Sequence, residues 1–302
     1  VDALDLLRRY GLQPSKGLGQ NFLVADWVYE RILDASTLDR GTVVLEIGPG
    51  LGTLTRRLAA RARRVIAVEL DRRLIPILEE ALAEFANVAL VRGDILALDP
   101  VALLCEQLQV PAEQLAYHVV ANLPYYITSH VLRHLLMARV RPRQMTLLVQ
   151  REVAERITAE PGEMSLLALS VQVFGAPRLI CRVPPSAFVP RPKVSSAVLT
   201  VHIYPQPLIA EERLGTFFTV VRAAFEQKRK QLLNSLAVGL ALDKAMIEKA
   251  LMVAGIDPSR RPQMLSVEEW ARLAVRLEPY LGSGSGEPPG DPDMGAEGFV
   301  IT

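Results

Sequence analysis

Thr42-Val43-Val44-Leu45-Glu46-Ile47-Gly48-Pro49-Gly50-Leu51-Gly52 is a short apolar run that stops in glycines and turns helical over residues 51–60. A run this short and this apolar reads as a strand buried on both faces of a parallel sheet. The pattern recurs outward along the chain. Residues 65–70, 88–91, 119–122 and 145–149 read as further buried strands, with helical periodicity over 71–85 and 128–138. Strand and helix in alternation predict an α/β chain with a doubly wound sheet.

Upstream, an amphipathic start (Leu4, Leu6, Leu7, Arg8, Arg9) leads through a Gly/Pro/Lys stretch at 13–20 to a helix over 26–35 with Asp26 as its N-cap. Downstream, 171–183 and 194–204 read as late antiparallel strands, and Tyr204-Pro205-Gln206-Pro207 as a linker. Beyond it the period is helical only, over 211–225, 228–238, 244–254 and 266–278. The division expected is therefore a catalytic domain over 1–204, a small all-α domain over 208–280, and a disordered Gly/Ser/Pro-rich tail over 281–302.

At 302 residues with a hydrophobic share of 50%, the chain can bury one large core and a smaller one. Cys105 and Cys181 cannot build a disulfide framework, which points to a reducing cytoplasm. No apolar run reaches the ~18 residues of a membrane span, and Val1-Asp2-Ala3 does not open like a secretory signal. The net charge of +1 hides an asymmetry, because Glu287, Asp291, Asp293 and Glu297 sit in the tail without a Lys or Arg. The remaining chain is mildly basic and admits a polyanionic partner.

The glycines after the first strand allow close backbone approach to a ligand at a helix N-terminus. Their spacing is G-x-G-x-G, which departs from the dinucleotide fingerprint G-x-G-x-x-G. Glu69 ends the second strand, where a carboxylate can accept both ribose hydroxyls. Gly93-Asp94 follows the third, placed to meet an adenine amine. Successive strand ends so equipped suit an adenosine. No P-loop Lys-Ser/Thr follows the glycines, and Glu46 adjoins the turn, so a cationic sulfonium with an amino-acid tail fits better than a pyrophosphate. That compound is S-adenosylmethionine.

Asn122-Leu123-Pro124-Tyr125 closes the fourth strand. An exocyclic aromatic amine is a poor nucleophile because its lone pair is delocalised into the ring. The Asn122 side-chain oxygen and the Leu123 carbonyl can accept its two hydrogens, favouring a pyramidal nitrogen and stabilising the charge that develops on attack. Pro124 fixes φ and helps aim that carbonyl, while Tyr125 can stack on an extruded base. In-line displacement asks for positioning rather than for an acid, a base or a metal.

Gly19-Gln20-Asn21-Phe22-Leu23, Glu46 to Gly52, Asn122 to Tyr125 and Phe188-Val189-Pro190-Arg191-Pro192-Lys193-Val194 together resemble the ribosomal RNA adenine dimethyltransferase family, most closely its KsgA-type small-subunit branch. The resemblance runs from about residue 12 to 280. It implies a Rossmann-like methyltransferase sheet. It also implies that Asn21 and Leu23 close over S-adenosylmethionine, with Gly48 at the methionine portion, Glu69 at the ribose, Asp94 at the adenine amine and Asn122 among the cofactor contacts as well. Asn122 and Leu123 would hold the target amine, with Tyr125 and Phe188 sandwiching the base. The implied substrate is two adjacent adenosines of small-subunit ribosomal RNA, in an assembling 30S particle.

For the RNA surface, the basic cluster Lys228, Arg229 and Lys230, read as the start of a helix, joins Arg222, Arg191 and Lys193 as expected phosphate contacts. His130 and His134 lie four apart on a helix but lack the Glu of a zinc motif, so no metal is expected. A monomer is the expected state. Two rivals remain: an Erm-type enzyme acting on the large subunit, and an RNA-binding assembly factor that does not depend on catalysis.

Overall fold

The computed structural model describes residues 9–15 and 17–281. Most of the amphipathic start and nearly all of the tail expected to be disordered lie outside the described residues. By internal contacts the chain divides into two compact units, Val1–Ala154 with Pro177–Ile203, and Glu155–Ala176 with Tyr204–Thr302. The expected linker at residues 204–207 begins the second stretch of the second unit, and Glu155–Ala176 groups there too, although the sequence reading had put it with the sheet.

In the first unit β1 (Phe22–Leu23) is followed by α1 (Asp26–Ala35), β2 (Val43–Ile47), α2 (Thr53–Arg61), β3 (Arg64–Glu69), α3 (Ile75–Leu82), β4 (Val88–Arg92) and α4 (Pro100–Leu108). Then come β5 (His118–Asn122), α5 (Thr128–Leu136) and β6 (Gln144–Gln150), followed by α6 (Arg151–Ile157), which crosses into the stretch grouped with the second unit, and α7 (Leu166–Gln172), which lies in it. β7 (Gly175–Val183), β8 (Phe188–Val189) and β9 (Ser196–Ile203) complete the strands. The main sheet runs β4-β3-β2-β5-β6-β9-β7, parallel from β4 to β6 and antiparallel where β9 joins β6. This is the doubly wound Rossmann-like sheet the sequence implies, with β9 and β7 beside its parallel part.

The chain builds β2, steps outward through β3 and β4, then returns to lay β5 on the other side of β2. The crevice at that switch point, outside the carboxyl ends of the strands, is where such sheets bind ligands. Register brings those ends level: Ile47 faces Val68 on one side and Ala121 on the other, Glu69 faces Arg92, and Asn122 faces Leu148. Val44, Leu45, Val65, Ile66, Val119 and Val120 are fully buried, as strands covered on both faces require.

Three local expectations are corrected. Asp26 is not the N-cap of α1: Ala25 occupies that position, and the Asp26 carboxylate is 2.5 Å from Arg57 on α2. Residues 171–172 end α7, which Ser165 caps, and the strand begins only at Gly175. A short apolar run fits either state, and the cap decided this one. Lys228, Arg229 and Lys230 do not start a helix: they lie in a turn, and the helix begins at Leu232.

In the second unit α8 (Leu214–Phe225), α9 (Leu232–Gly239), α10 (Lys244–Val253) and α11 (Val267–Leu277) enclose a core of Phe217, Val221, Leu236, Leu251 and Trp270. Ser266 and Glu269 form a reciprocal capping box at the start of α11.

Candidate active site

The cleft at the switch point is lined by all four strand ends of the sequence reading together with the chain around β1. It is open to solvent at its mouth, and its lining runs continuously from the turn after β2 to Asn122 and Phe188.

Its floor is the turn after β2. Gly48, Gly50 and Gly52 have φ of 68°, 60° and 78°, a left-handed path that side chains disfavour. A Cβ at Gly50 would lie 3.4 Å from the Phe22 ring, an ordinary contact, so the backbone path is what calls for glycine there. The path turns the Gly50 amide to donate to Glu69 at 3.1 Å, while the Gly48 amide donates to the Val68 carbonyl at 2.9 Å.

Glu69 is buried, accepts the Asp71 amide at 2.8 Å through its other oxygen, and is pushed above the usual carboxylate range by burial. Each oxygen retains a lone pair for a further donor. The Gly93 amide reaches the Glu69 main-chain carbonyl at 2.9 Å, which brings Asp94 to the same cleft. Asp94 is exposed and accepts the Leu96 amide at 2.9 Å, which fixes its turn.

Glu46 was read only as an acid beside the turn, and it is the feature sequence reasoning underused. It is fully buried at the cleft, and neither of its carboxyl oxygens has a hydrogen-bond partner. Burial pushes it up to about 8; Thr55 offsets part of this, and the nearby Glu69 charge adds to it. An orphaned buried carboxyl costs free energy that a cationic ligand would recover. Glu46 thus fits a ligand carrying a sulfonium and an ammonium, with Gly48, Glu69 and Asp94 lining the same space.

On the other side of the cleft, Asn122 ends β5 and its Nδ2 donates to the Asn21 main-chain carbonyl at 3.4 Å. That bond leaves the Asn122 Oδ1 as an acceptor for the cleft. Leu123 is buried, with its amide donating to the Leu148 carbonyl at 3.1 Å. Tyr125 opens the short turn into α5, and its hydroxyl is 2.6 Å from the buried Ser196 Oγ, which holds the ring against rotation out of the site. Phe188, on β8, is almost fully buried at 1% exposure and lines the same cleft. β8 pairs with β1, setting Phe188 opposite Leu23. The sequence reading did not include this two-stranded pair, because two residues carry no periodicity to read.

The structure therefore brings together Asn21, Leu23, Gly48, Glu69, Asp94, Asn122, Leu123, Pro124, Tyr125 and Phe188 around one cleft. Arg191 and Lys193 are exposed in the loop after β8. In the second unit Lys228, Arg229 and Lys230 are exposed, and Arg222, on α8, has a buried Nε without a partner. His134 Nε2 donates to the Leu98 carbonyl at 2.9 Å, and among the described residues no group of three His, Cys, Asp or Glu is placed to hold a metal. No described helix is long and apolar enough to cross a membrane.

Residues 12–277 match the model of the family described as ribosomal RNA adenine dimethylase. A protein of Moorella thermoacetica named ribosomal RNA small subunit methyltransferase A is 46% identical over 278 residues, 91% of this chain and 96% of its own. One of the same name from Dehalococcoides mccartyi is 45% identical over 284 residues, 94% of each chain. Among solved structures, the 23S rRNA methyltransferase ErmE is 30% identical with a TM-score of 0.69, over 85% of this chain and all of its own. A dimethyladenosine transferase from Plasmodium falciparum, at 22% identity and a TM-score of 0.73, covers 85% of this chain and 98% of its own and shares the fold.

Proposed function

The chain belongs to the ribosomal RNA adenine dimethylase family, and from that premise we propose that it methylates the N6 amine of two adjacent adenosines in small-subunit ribosomal RNA. It is an S-adenosylmethionine-dependent rRNA adenine dimethyltransferase. S-adenosylmethionine, when bound, supplies a methyl group on a positively charged sulfur. The observation that carries the reading is the position of Asn122: it closes β5 at the switch point and lines the same cleft as Glu46, Glu69 and Asp94.

The residues divide the work. Glu69 takes the ribose hydroxyls and Asp94 the adenine amine, while Glu46 faces the cationic end of the cofactor from the floor. Asn21 and Leu23 cover it. The Asn122 Oδ1 and the Leu123 carbonyl accept the two hydrogens of the target amine, drawing its lone pair out of conjugation. Tyr125, held by Ser196, and Phe188 clamp the extruded base between them. Holding donor and acceptor in line supplies most of the rate. Arg191, Lys193, Arg222, Lys228, Arg229 and Lys230 contact RNA phosphates.

The substrate is the assembling 30S particle, met in the cytoplasm by a monomeric enzyme. The curated relatives at 45% and 46% identity carry the small-subunit name, which favours that substrate over the large subunit. The test is transfer of labelled methyl from S-adenosylmethionine to unmethylated small-subunit particles, with large-subunit RNA in parallel. Label on N6 of small-subunit adenines is the expected result. Label on large-subunit RNA alone overturns the choice of substrate, and an Asn122→Ala variant that supports ribosome assembly as wild type does would make RNA binding the main function.

A further inference from the structure

The stretch of chain that leads into β1 does more than line the cleft. Gln20 makes contacts on both sides of itself: its Oε1 accepts the Ser15 amide at 2.8 Å, and its own amide donates back to the Ser15 carbonyl at 3.2 Å. Its Nε2 then donates to the Asp71 carboxylate at 2.8 Å. Asp71 is not a loose surface acid. It is 5% exposed and grips Arg73 with both oxygens, at 2.6 and 2.9 Å, which with Gln20 holds its carboxyl down at about 2. Its own amide is one of the two donors that fix Glu69.

One residue further on, the same strap reaches the opposite wall. The Asn21 carbonyl receives the Asn122 Nδ2, and Asn21 Nδ2 closes a local turn onto the Gly19 carbonyl at 3.1 Å. After β1 the strap is tied down again, by the Val24 amide to the Ala187 carbonyl at 2.8 Å and the Tyr29 hydroxyl to the Leu23 carbonyl at 2.6 Å. Residues 17–23 thus span the cleft between the ribose-binding side and the methyl-accepting side. The Gln20–Asp71 bond fastens the ribose side, and the Asn21 carbonyl meets the other.

A carboxamide has two ends that differ in chemistry but hardly in shape. If the Asn122 Nδ2 faced the target amine, two donors would confront each other and the nitrogen lone pair would stay in the ring. The Asn21 carbonyl can accept only a donor, so it admits only the orientation with Oδ1 toward the cleft.

We propose that Gln20 is a positioning residue: its bond to Asp71 holds the strap in register, and the strap's Asn21 carbonyl fixes which end of the Asn122 carboxamide meets the target amine. This rests on the reading of the cleft as an S-adenosylmethionine-dependent adenine methyltransferase site. It links the two half-sites through chain alone. Glu69, which holds the ribose, and Asn122, which holds the amine, are set by the two ends of one short segment.

The experiment uses the full chain with S-adenosylmethionine and unmethylated small-subunit particles. Gln20→Leu removes the bond to Asp71. It is expected to weaken S-adenosylmethionine binding, measured calorimetrically without RNA, about tenfold, the loss of one hydrogen bond to a charged group. It should also lower kcat at saturating cofactor about tenfold, while KM for the particle and the Tm stay close to wild type. A strap that merely stabilised the fold would move Tm and leave kcat alone. Made in an Asp71→Ala background, where the bond is already absent, Gln20→Leu should cost little further affinity or kcat.

Gln20→Leu with affinity and kcat both within about twofold of wild type overturns the latch, as does a loss just as large in the Asp71→Ala background. A wild-type chain that binds S-adenosylmethionine and transfers no methyl, or binds none, overturns the functional reading itself and the latch with it.

Discussion

The cleft of the first unit and the basic turn of the second were both expected to be functional surfaces, and they are built on opposite principles. In the cleft, Glu46 and Glu69 are buried, and Glu69 and Asn122 are fixed by backbone bonds from chain far away in sequence. At the turn, Lys228, Arg229 and Lys230 stand in solvent, and among the described residues no ion pair engages them. A methyl transfer tolerates little misplacement, so its groups are held rigidly at some cost in desolvation. A phosphate contact is long-ranged and indifferent to small shifts, so long side chains on a turn suffice. Substitutions in the cleft should therefore act on chemistry and cofactor in a residue-specific way, and those on the turn as a sum of charges.

The largest effect should come from Asn122→Ala, which removes an acceptor needed only as charge develops. A fall in kcat of roughly 10²–10³-fold is expected, larger than the loss of cofactor affinity; measuring both on one preparation is the sharpest probe of the rigid side. Next, Glu69→Gln keeps the shape but loses the charged acceptor, and should weaken S-adenosylmethionine binding about 10- to 100-fold by calorimetry. A loss confined to kcat would contradict the role assigned to it.

Glu46→Gln tests the desolvation cost directly. The folded carboxyl sits near 8 against an ordinary 4.5, so the folded state holds this proton more tightly than the unfolded chain does. Its contribution is intact below about 4.5 and declines as pH rises toward 8. The ligand-free variant should therefore be more stable than wild type above pH 8, by an amount on the order of a few kcal/mol, and the two should converge near pH 4. Thermal unfolding across that range, without cofactor, checks the sign. A gap that shrinks on raising the pH would break the account.

The smallest effect per residue is expected at the turn. Replacing Lys228, Arg229 and Lys230 together by Ala should weaken RNA binding and flatten the slope of log affinity against log salt by about 2, leaving kcat near wild type. A large loss of kcat with an unchanged slope would move these residues from the charged surface to the chemistry.

What the sequence disclosed follows the same divide. The β2 run, its glycines and the acids at the next two strand ends are legible because each is local: a buried strand needs its apolar residues, and a left-handed turn needs its glycines. Asn122 to Tyr125 was legible through its chemistry. The Gln20–Asp71 and Asn122–Asn21 bonds were not, since they join residues 51 and 101 positions apart and no local pattern announces them. Neither was the burial of Glu46, which looks in sequence like any acid at a strand end. The helical expectation at Lys228 failed because the charges around it were read as the first turn of a helix whose apolar face begins only at Leu232. Val171 and Gln172 were misassigned because the apolar run they belong to fits a helix or a strand alike until Ser165 caps the helix.

The pairing of β1 with β8 has a consequence in the order of synthesis. Leu23 leaves the ribosome early and waits for Phe188, which emerges 165 residues later. Until it does, a growing chain that already carries the glycine turn, Glu69 and Asn122 still lacks the Phe188 side of the cleft. Domains fold as units as they emerge, so the cleft is completed only after nearly all of the first unit has been made.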